Sequence, residues 1–372
     1  MLAPLKRAIT PDVTASRPRV MVDLIQKVVA AGHDVTIFGT GDSVLPGVTI
    51  IPVIPKALNE LPIAENPFYQ HTAALTKQVA QLVAHQDDFD IIHNHMYPEY
   101  YPFSALSSLH IPMVTTIHSQ MTADMKDVLA LYPHLPLATI SKSASLESGL
   151  PLRVIYNGIN TDVFTPLEAP SRDYFLFVGR MSKAVDASGE FIDPKGVKNA
   201  IAVAQRTGMH LKIVGNVENP SFYTLHVKPY LSKTIEFVGE VSSEQTIARK
   251  DMVSLFQHAI ALLNPINWEE PFGLVMAEAM SCGTPVIAYD RGSVSELIVD
   301  GKTGFIVDPI ADETHHHSIN TSGIDGLVEA VGKIHSIEST ACRDHVIAHF
   351  STDAMATRYM EWYEEELAKF TK

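Results

Sequence analysis

Two glutamates eight residues apart, Glu270 and Glu278, have the spacing to hold a ligand with hydroxyls at both ends. Glu270 closes a Pro-bounded loop, Glu269-Glu270-Pro271-Phe272-Gly273, and Glu278 sits in the helix-like run Leu274 to Ser281 that follows. Pro271 suits the first turn of a helix, where its missing N–H would have had no partner. Gly273 lets backbone approach a ligand, and the free N–H groups of that first turn favour an anion such as phosphate. At about 1.5 Å per helical residue the two carboxylates stand roughly 12 Å apart. That span fits a sugar at one end of a diphosphate and a ribose at the other. The helix stops at Cys282-Gly283-Thr284-Pro285, and an apolar strand, Val286 to Tyr289, follows.

The wider stretch reads E-P-F-G-L-V-M-A-E-A-M-x-C-G-T-P-V-I-A, then G-x-x-x-E from Gly292 and D-G-K-T-G-F from Asp300. It resembles the donor site of the retaining glycosyltransferases of family 4, which have the GT-B fold. The resemblance implies two Rossmann-like doubly wound α/β domains facing each other across a cleft that closes to exclude water. It implies transfer of a hexosyl unit from a nucleotide diphosphate sugar, UDP-, GDP- or ADP-linked, to an acceptor hydroxyl by front-face substitution. No further cofactor and no metal are expected. The same fold also serves nucleotide-sugar epimerases, phosphorylases and catalytically silent nucleotide-sugar binders, which remain the alternatives.

Other matched positions carry roles only through this resemblance. Arg180, in Val178-Gly179-Arg180-Met181, and Lys195, in Pro194-Lys195-Gly196-Val197, would grip the donor diphosphate. Fixed cations there stabilise the charge that develops on the leaving group. The insertion between them, AVDASGEFID, is longer than usual and reads as a surface loop. Glu278 would hold the ribose, Glu270 the sugar hydroxyls, and the backbone of Phe272, Gly273 and Leu274 would face the diphosphate and sugar. Gly239 lies in the loop expected against the base. His118, in T-T-I-H-S, matches a histidine placed close to the transferred sugar. His93, His95, Tyr97 and Ser16 are candidates for the acceptor side. Asn157 to Pro166 resembles the interdomain linker N-G-I-D-x-x-x-F-x-P, with Asn160 in place of the usual Asp. The chain departs from the family at its start, where the first strand is reduced to Met1-Leu2-Ala3 and Thr14-Ala15-Ser16 stand where glycines are common.

The elements that must position these residues are legible in the periodicity. Val20 to Ala31 and Asn66 to His85 read as helices, and Asp34–Phe38, Phe89–His93, Met113–His118, Ala138–Ile140 and Arg153–Tyr156 as apolar strands. A second alternation supplies strands at Tyr174–Val178, Leu211–Val214, Ile235–Val238, Ala261–Leu263, Val286–Ala288 and Phe305–Val307. Apolar strands alternating with helices imply parallel sheets covered on both faces, with ligands beyond the carboxyl ends of the strands. The expected division is residues 1–156, with a crossing helix at about 353–372, and residues 157–352. A length of 372 residues and 46% hydrophobic content suit two cores.

Composition excludes several classes. With 42 acidic residues against 28 basic ones the net charge is −14, which argues against a general nucleic-acid binder. The two cysteines, Cys282 and Cys342, form neither a zinc ribbon nor a disulfide scaffold. No stretch reaches the about 18 apolar residues of a membrane span and no leader opens the chain, so a soluble cytoplasmic protein, at most loosely membrane-associated, is expected. Its partners would be the nucleotide sugar and an acceptor glycan, lipid or small molecule. Gly39-Thr-Gly41 lacks the third glycine of a dinucleotide fingerprint, and Gly301-Lys302-Thr303 is a turn. His315-His316-His317 reads as a solvated loop rather than a metal ligand set. His93 and His95, one residue apart on a strand, share a face and are read as substrate hydrogen-bonding groups rather than a metal pair.

Overall fold

The computed structural model describes residues 1–182, 184–241, 247–311 and 317–370. The chain forms two compact units, Met1–Gly158 with Thr352–Lys372, and Ile159–Ser351.

The first unit holds a parallel sheet of β1 (Thr36–Thr40), β2 (Thr49–Ile54), β3 (Ile92–Asn94), β4 (Met113–Ile117), β5 (Leu137–Thr139) and β6 (Arg153–Val154). The pairs β2–β1 and β3–β4–β5–β6 are joined by one residue. Leu2, fully buried, bridges both Phe38 of β1 and Asn94 of β3. Its N–H donates to the His93 carbonyl (2.9 Å), and its own carbonyl accepts from the His95 N–H (3.0 Å). The stub at the start of the chain is thus the central strand. Counting Leu2 first, the order is that of a doubly wound sheet, reversing beside β3.

Helix α1 (Ser16–Ala30) begins four residues before the expected Val20. Pro18 lies in its first turn, where no N–H is needed, so the Arg-Pro-Arg run is helix rather than loop. Helix α2 (Pro67–His85) starts as expected, with the Asn66 side chain accepting from the Tyr69 N–H at 3.3 Å. Helices α3 (Ala123–Ala130) and α4 (Lys142–Ser148) follow. The closing helix, Thr352–Phe370, belongs to this unit and buries Tyr359 and Trp362. Removing a buried aromatic of that size costs about 3–5 kcal/mol, so these rings anchor the helix. No described helix is long and apolar enough to cross a membrane.

The second unit has β7 (Tyr174–Val178), β8 (Leu211–Val214), β9 (Ile235–Gly239), β10 (Ala259–Asn264), β11 (Val286–Tyr289) and β12 (Gly304–Val307). They pair in parallel in the order β12-β11-β10-β7-β8-β9. The order reverses between β7 and β10, and a doubly wound sheet binds ligands at such a point. Helices α5 (Val197–Thr207), α6 (Pro220–His226), α7 (Arg249–Gln257), α8 (Leu274–Ser281), α9 (Val294–Leu297), α10 (Gly323–Lys333) and α11 (Ser339–Phe350) complete it. Every residue of β7, β11 and β12 is buried, which is why these strands read as unbroken apolar runs. Asn160 caps the turn that follows it: its side-chain oxygen accepts from the N–H groups of Asp162 (3.1 Å) and Val163 (3.3 Å). Residues 184–192 form a small hairpin closed by a Val185–Phe191 bridge, and Phe191 packs edge-on against Phe222 of α6 at 5.7 Å. Both cysteines are buried and unpaired, and burial pushes each thiol up to about 12.

Candidate active site

In the second unit the loops after β7 and β10 meet. Asn267 donates its backbone N–H to the Pro194 carbonyl (2.8 Å) and its side-chain amide to the Asp193 carbonyl (2.9 Å). Gly196 is required at this seam: its φ is +79°, and an added Cβ would lie 1.8 Å from the Pro265 carbonyl oxygen. The buried Asp193 carboxylate caps α5 by accepting from Gly196 N–H (3.0 Å) and Lys198 N–H (2.8 Å), while burial raises its pKa.

This packing delivers Lys195 to Glu270, with Nζ 2.5 Å from Oε2. Trp268 completes the group. Its indole N–H donates to the same oxygen at 3.0 Å, and Lys195 Nζ stands 4.5 Å from the ring centroid. Both donors thus converge on one carboxylate oxygen of Glu270. The loop is braced from the turn after β11, where Ser293 N–H donates to the Glu270 carbonyl (2.9 Å) and Gly292 N–H to Glu269 Oε2 (2.6 Å).

Gly273 is the N-cap of α8, and Leu274 its first residue. The Phe272 ring is buried against Phe350 (5.9 Å), so only the backbone of Phe272 is available to a ligand; its carbonyl accepts from Ser293 Oγ (2.8 Å). Glu278, two turns on, is only 4% exposed. Arg180 does not join the Lys195–Glu270 group: it pairs with Glu218 at 3.2 Å and is 61% exposed. An exposed pair of that kind is worth about 0–1 kcal/mol, so Arg180 can leave Glu218 at little cost. Gly239 ends β9, its carbonyl accepting from Gly215 N–H (3.0 Å). Asn216 and Glu240 stitch the same loops by accepting from the N–H groups of Val241 and Val217.

The first unit carries a buried polar cluster at the carboxyl ends of β3 and β4. His93 and His95 do share a face, with ring centroids 3.8 Å apart. Both ring nitrogens of His93 are engaged by the fold, Nδ1 with Tyr363 Oη (2.5 Å) and Nε2 with Thr116 Oγ1 (2.8 Å). His93 therefore braces the closing helix from inside, and no ring nitrogen is left for an acceptor. His95, also buried, shares a 2.9 Å hydrogen bond with His118, while its Nε2 has no hydrogen-bond partner. Burial holds all three imidazoles well below their usual range, and the neighbouring histidines and Arg17 act in the same direction.

Sequence reasoning missed the centre of this cluster. The buried Glu99 accepts through Oε1 from Arg17 (2.7 Å), Ser119 Oγ (2.9 Å) and the N–H groups of His118 and Ser119 (each 3.2 Å). Arg17 also donates to the Met96 carbonyl (2.8 Å) and lies over the Tyr97 ring at 5.0 Å. Tyr97 itself is 60% exposed, and Ser16, beside Arg17 at the start of α1, is exposed.

Two family models match the chain, "Glycosyltransferase Family 4" over residues 18–142 and "Glycosyl transferases group 1" over residues 166–322. The chain belongs to glycosyltransferase family 4. It is a glycosyltransferase of the GT-B fold. D-inositol 3-phosphate glycosyltransferase of Mycobacterium marinum is 24% identical over 356 residues, spanning 88% of this chain and 74% of the relative. Among solved structures, sucrose-phosphate synthase from Thermosynechococcus elongatus aligns with a TM-score of 0.74 at 19% identity, covering 99% of this chain and 98% of that one. HepE of Anabaena, solved with UDP and glucose, aligns with a TM-score of 0.67 at 15% identity over 98% of this chain and 99% of its own. These likenesses span both units of the family-4 chain.

Of the histidine run read as a solvated loop, His317 alone lies in the described residues, and it differs from that reading. His315 and His316 lie outside the described residues. The His317 side chain, 12% exposed, is drawn in to Asp290 and Asp308 at 3.1 and 3.5 Å. Those partners lie well away in sequence, so spacing within the run carried no trace of them.

Proposed function

We propose that this family-4 enzyme is a retaining hexosyltransferase that uses a nucleotide diphosphate sugar. One observation carries the reading: Lys195, Trp268 and Glu270 converge beyond β7 and β10, where the sheet order reverses. Arg180, Lys195 and the first N–H groups of α8 hold the diphosphate and stabilise its charge as it departs. Glu270 takes the sugar hydroxyls, Glu278 the ribose, and the Gly239 loop lies against the base. The acceptor hydroxyl attacks the anomeric carbon on the face the diphosphate leaves. The bond from carbon to phosphate oxygen breaks as the new glycosidic bond forms, and the acceptor's proton passes to the departing phosphate oxygen. No metal is needed for that charge. By resemblance to the family, His118 is assigned to the transferred sugar, and His95, Tyr97 and Ser16 to the acceptor.

A sugar donor is supported by the HepE complex with UDP and glucose, and a phosphorylated acceptor by the inositol phosphate enzyme. The test is a mass-spectrometric screen of UDP-, GDP- and ADP-hexoses against sugar, lipid and inositol phosphate acceptors. The product's anomeric configuration is then read by NMR. Transfer with retention is expected. An inverted product, a phosphate-dependent reaction, an epimerised donor, or donor binding without transfer would each overturn the proposal.

A further inference from the structure

A second group of convergent side chains lies outside the donor residues. Strands β11 and β12 pair in register, Tyr289 opposite Val307. The next residues, Asp290 and Asp308, therefore emerge side by side at the carboxyl ends of adjacent strands. Two carboxylates so placed repel each other unless something positive stands between them. His317 reaches both through one atom, its Nε2 lying 3.1 Å from Asp290 Oδ2 and 3.5 Å from Asp308 Oδ1. All three side chains are 12–14% exposed, so bulk water does little to screen them.

A proton on Nε2 can be donated well to only one of those oxygens. A metal ion accepts bonds from all three atoms at once. Zinc bonds to imidazole nitrogen and carboxylate oxygen at about 2.0–2.2 Å, which makes the edge of its tetrahedron roughly 3.4 Å. The two edges that meet at His317 Nε2, 3.1 and 3.5 Å, bracket that length. The three donor atoms lie within 4.8 Å of one another. Mixed nitrogen and carboxylate donors suit a borderline divalent ion better than magnesium or calcium, which take oxygen alone.

We propose that Asp290, Asp308 and His317 form a zinc site with water in the fourth position, stabilising the fold in a role apart from sugar transfer. The ion would staple the ends of two core strands to His317.

The full chain, stripped of metal by chelation and desalted, is titrated calorimetrically with zinc, with a thermal melt at each end point. The expected result is one zinc per chain and a raised melting temperature. Asp290→Asn, Asp308→Asn and His317→Ala should each weaken binding by about tenfold or more. A His315→Ala/His316→Ala double variant should bind as the parent does. If the carboxylate variants fail to fold, the cobalt(II) absorption spectrum of the unmodified protein decides, since a four-coordinate ion with one imidazole is distinguishable from an exposed histidine tract. No zinc bound, binding that persists in all three single variants, binding abolished by the double variant, or a six-coordinate cobalt spectrum would each overturn the proposal.

Discussion

Lys195 Nζ and Glu270 Oε2 lie 2.5 Å apart although 75 positions separate the residues in sequence. Trp268 reaches the same oxygen, so Glu270 is held in place by two donors of different kinds. Residues sharing one network couple by about 0.5–3 kcal/mol in double-mutant cycles. Lys195→Met and Glu270→Gln should therefore be far from additive in kcat/KM. Trp268→Phe, which keeps the ring but loses the N–H, should lower kcat while largely sparing donor KM. Strict additivity of the Lys195 and Glu270 effects would show that the pair does not act as a unit.

The two glutamates should separate kinetically. Contacts to the reacting sugar strengthen in the transition state and govern turnover, whereas contacts to a remote ribose bind ground and transition states alike. Glu270→Gln should mainly lower kcat. Glu278→Gln should mainly raise donor KM and weaken calorimetric binding of the nucleotide diphosphate. A lost hydrogen bond to a charged group is worth about 1.5–3 kcal/mol, or about tenfold to a hundredfold. Poor nucleotide binding with normal turnover in Glu270→Gln would mean that the roles are reversed.

His93, His95 and His118 make stability depend on pH. Their folded pKa values are held well below the ordinary value, chiefly by burial. Above about pH 6.5 both folded and unfolded chains leave them neutral, and the stability of the unit is fully present. As pH falls through about 6.5, the unfolded chain takes up protons that the folded one refuses, and stability is lost. Urea unfolding at about pH 7.5 and about pH 5.5 should show the drop, with a shallower one in His95→Gln. An unchanged slope in that variant would remove His95 from the account.

Transfer should survive EDTA. In the proposed site Arg180, Lys195 and helix N–H groups would meet the diphosphate, and the sequence of the donor region has no Asp-x-Asp pair. At temperatures well below unfolding, chelation should leave turnover within about twofold, whatever becomes of the Asp290–Asp308–His317 group. Loss of transfer that magnesium or manganese restores would contradict a metal-free donor site.

Docking to anionic membranes should be weak. Residues 1–155 hold 10 Lys/Arg and 13 Asp/Glu, with no basic cluster, while each surface cation adds only about 1 kcal/mol of attraction. Sedimentation with phosphatidylglycerol vesicles at physiological salt should leave most of the protein in the supernatant; strong co-sedimentation would count against this.

What the sequence made legible follows from the range of the forces involved. Fully buried parallel strands such as Tyr174–Val178 leave a continuous apolar signature, and Asn66 caps its helix through a contact three residues away. The β2 strand escaped notice because Pro52 interrupts it and it lies at the edge of its sheet. The family motif placed Lys195 and Glu270 as separate contributors, but only folding pairs them. Glu99 was invisible for the same reason: its partner Arg17 lies 82 positions away, and no local pattern distinguishes it from a surface acid.

Leu2 gives the first unit an uneven kind of robustness. Its hydrogen bonds and those of its immediate neighbours close the sheet between β1 and β3. Losing that one link would leave two smaller sheets, each with a raw edge of unpaired N–H and carbonyl groups. Raw edges recruit strands from other molecules. The penalty for disturbing Leu2 would thus fall on the population of molecules, through aggregation during expression and storage, before it registered in the chemistry of any single one.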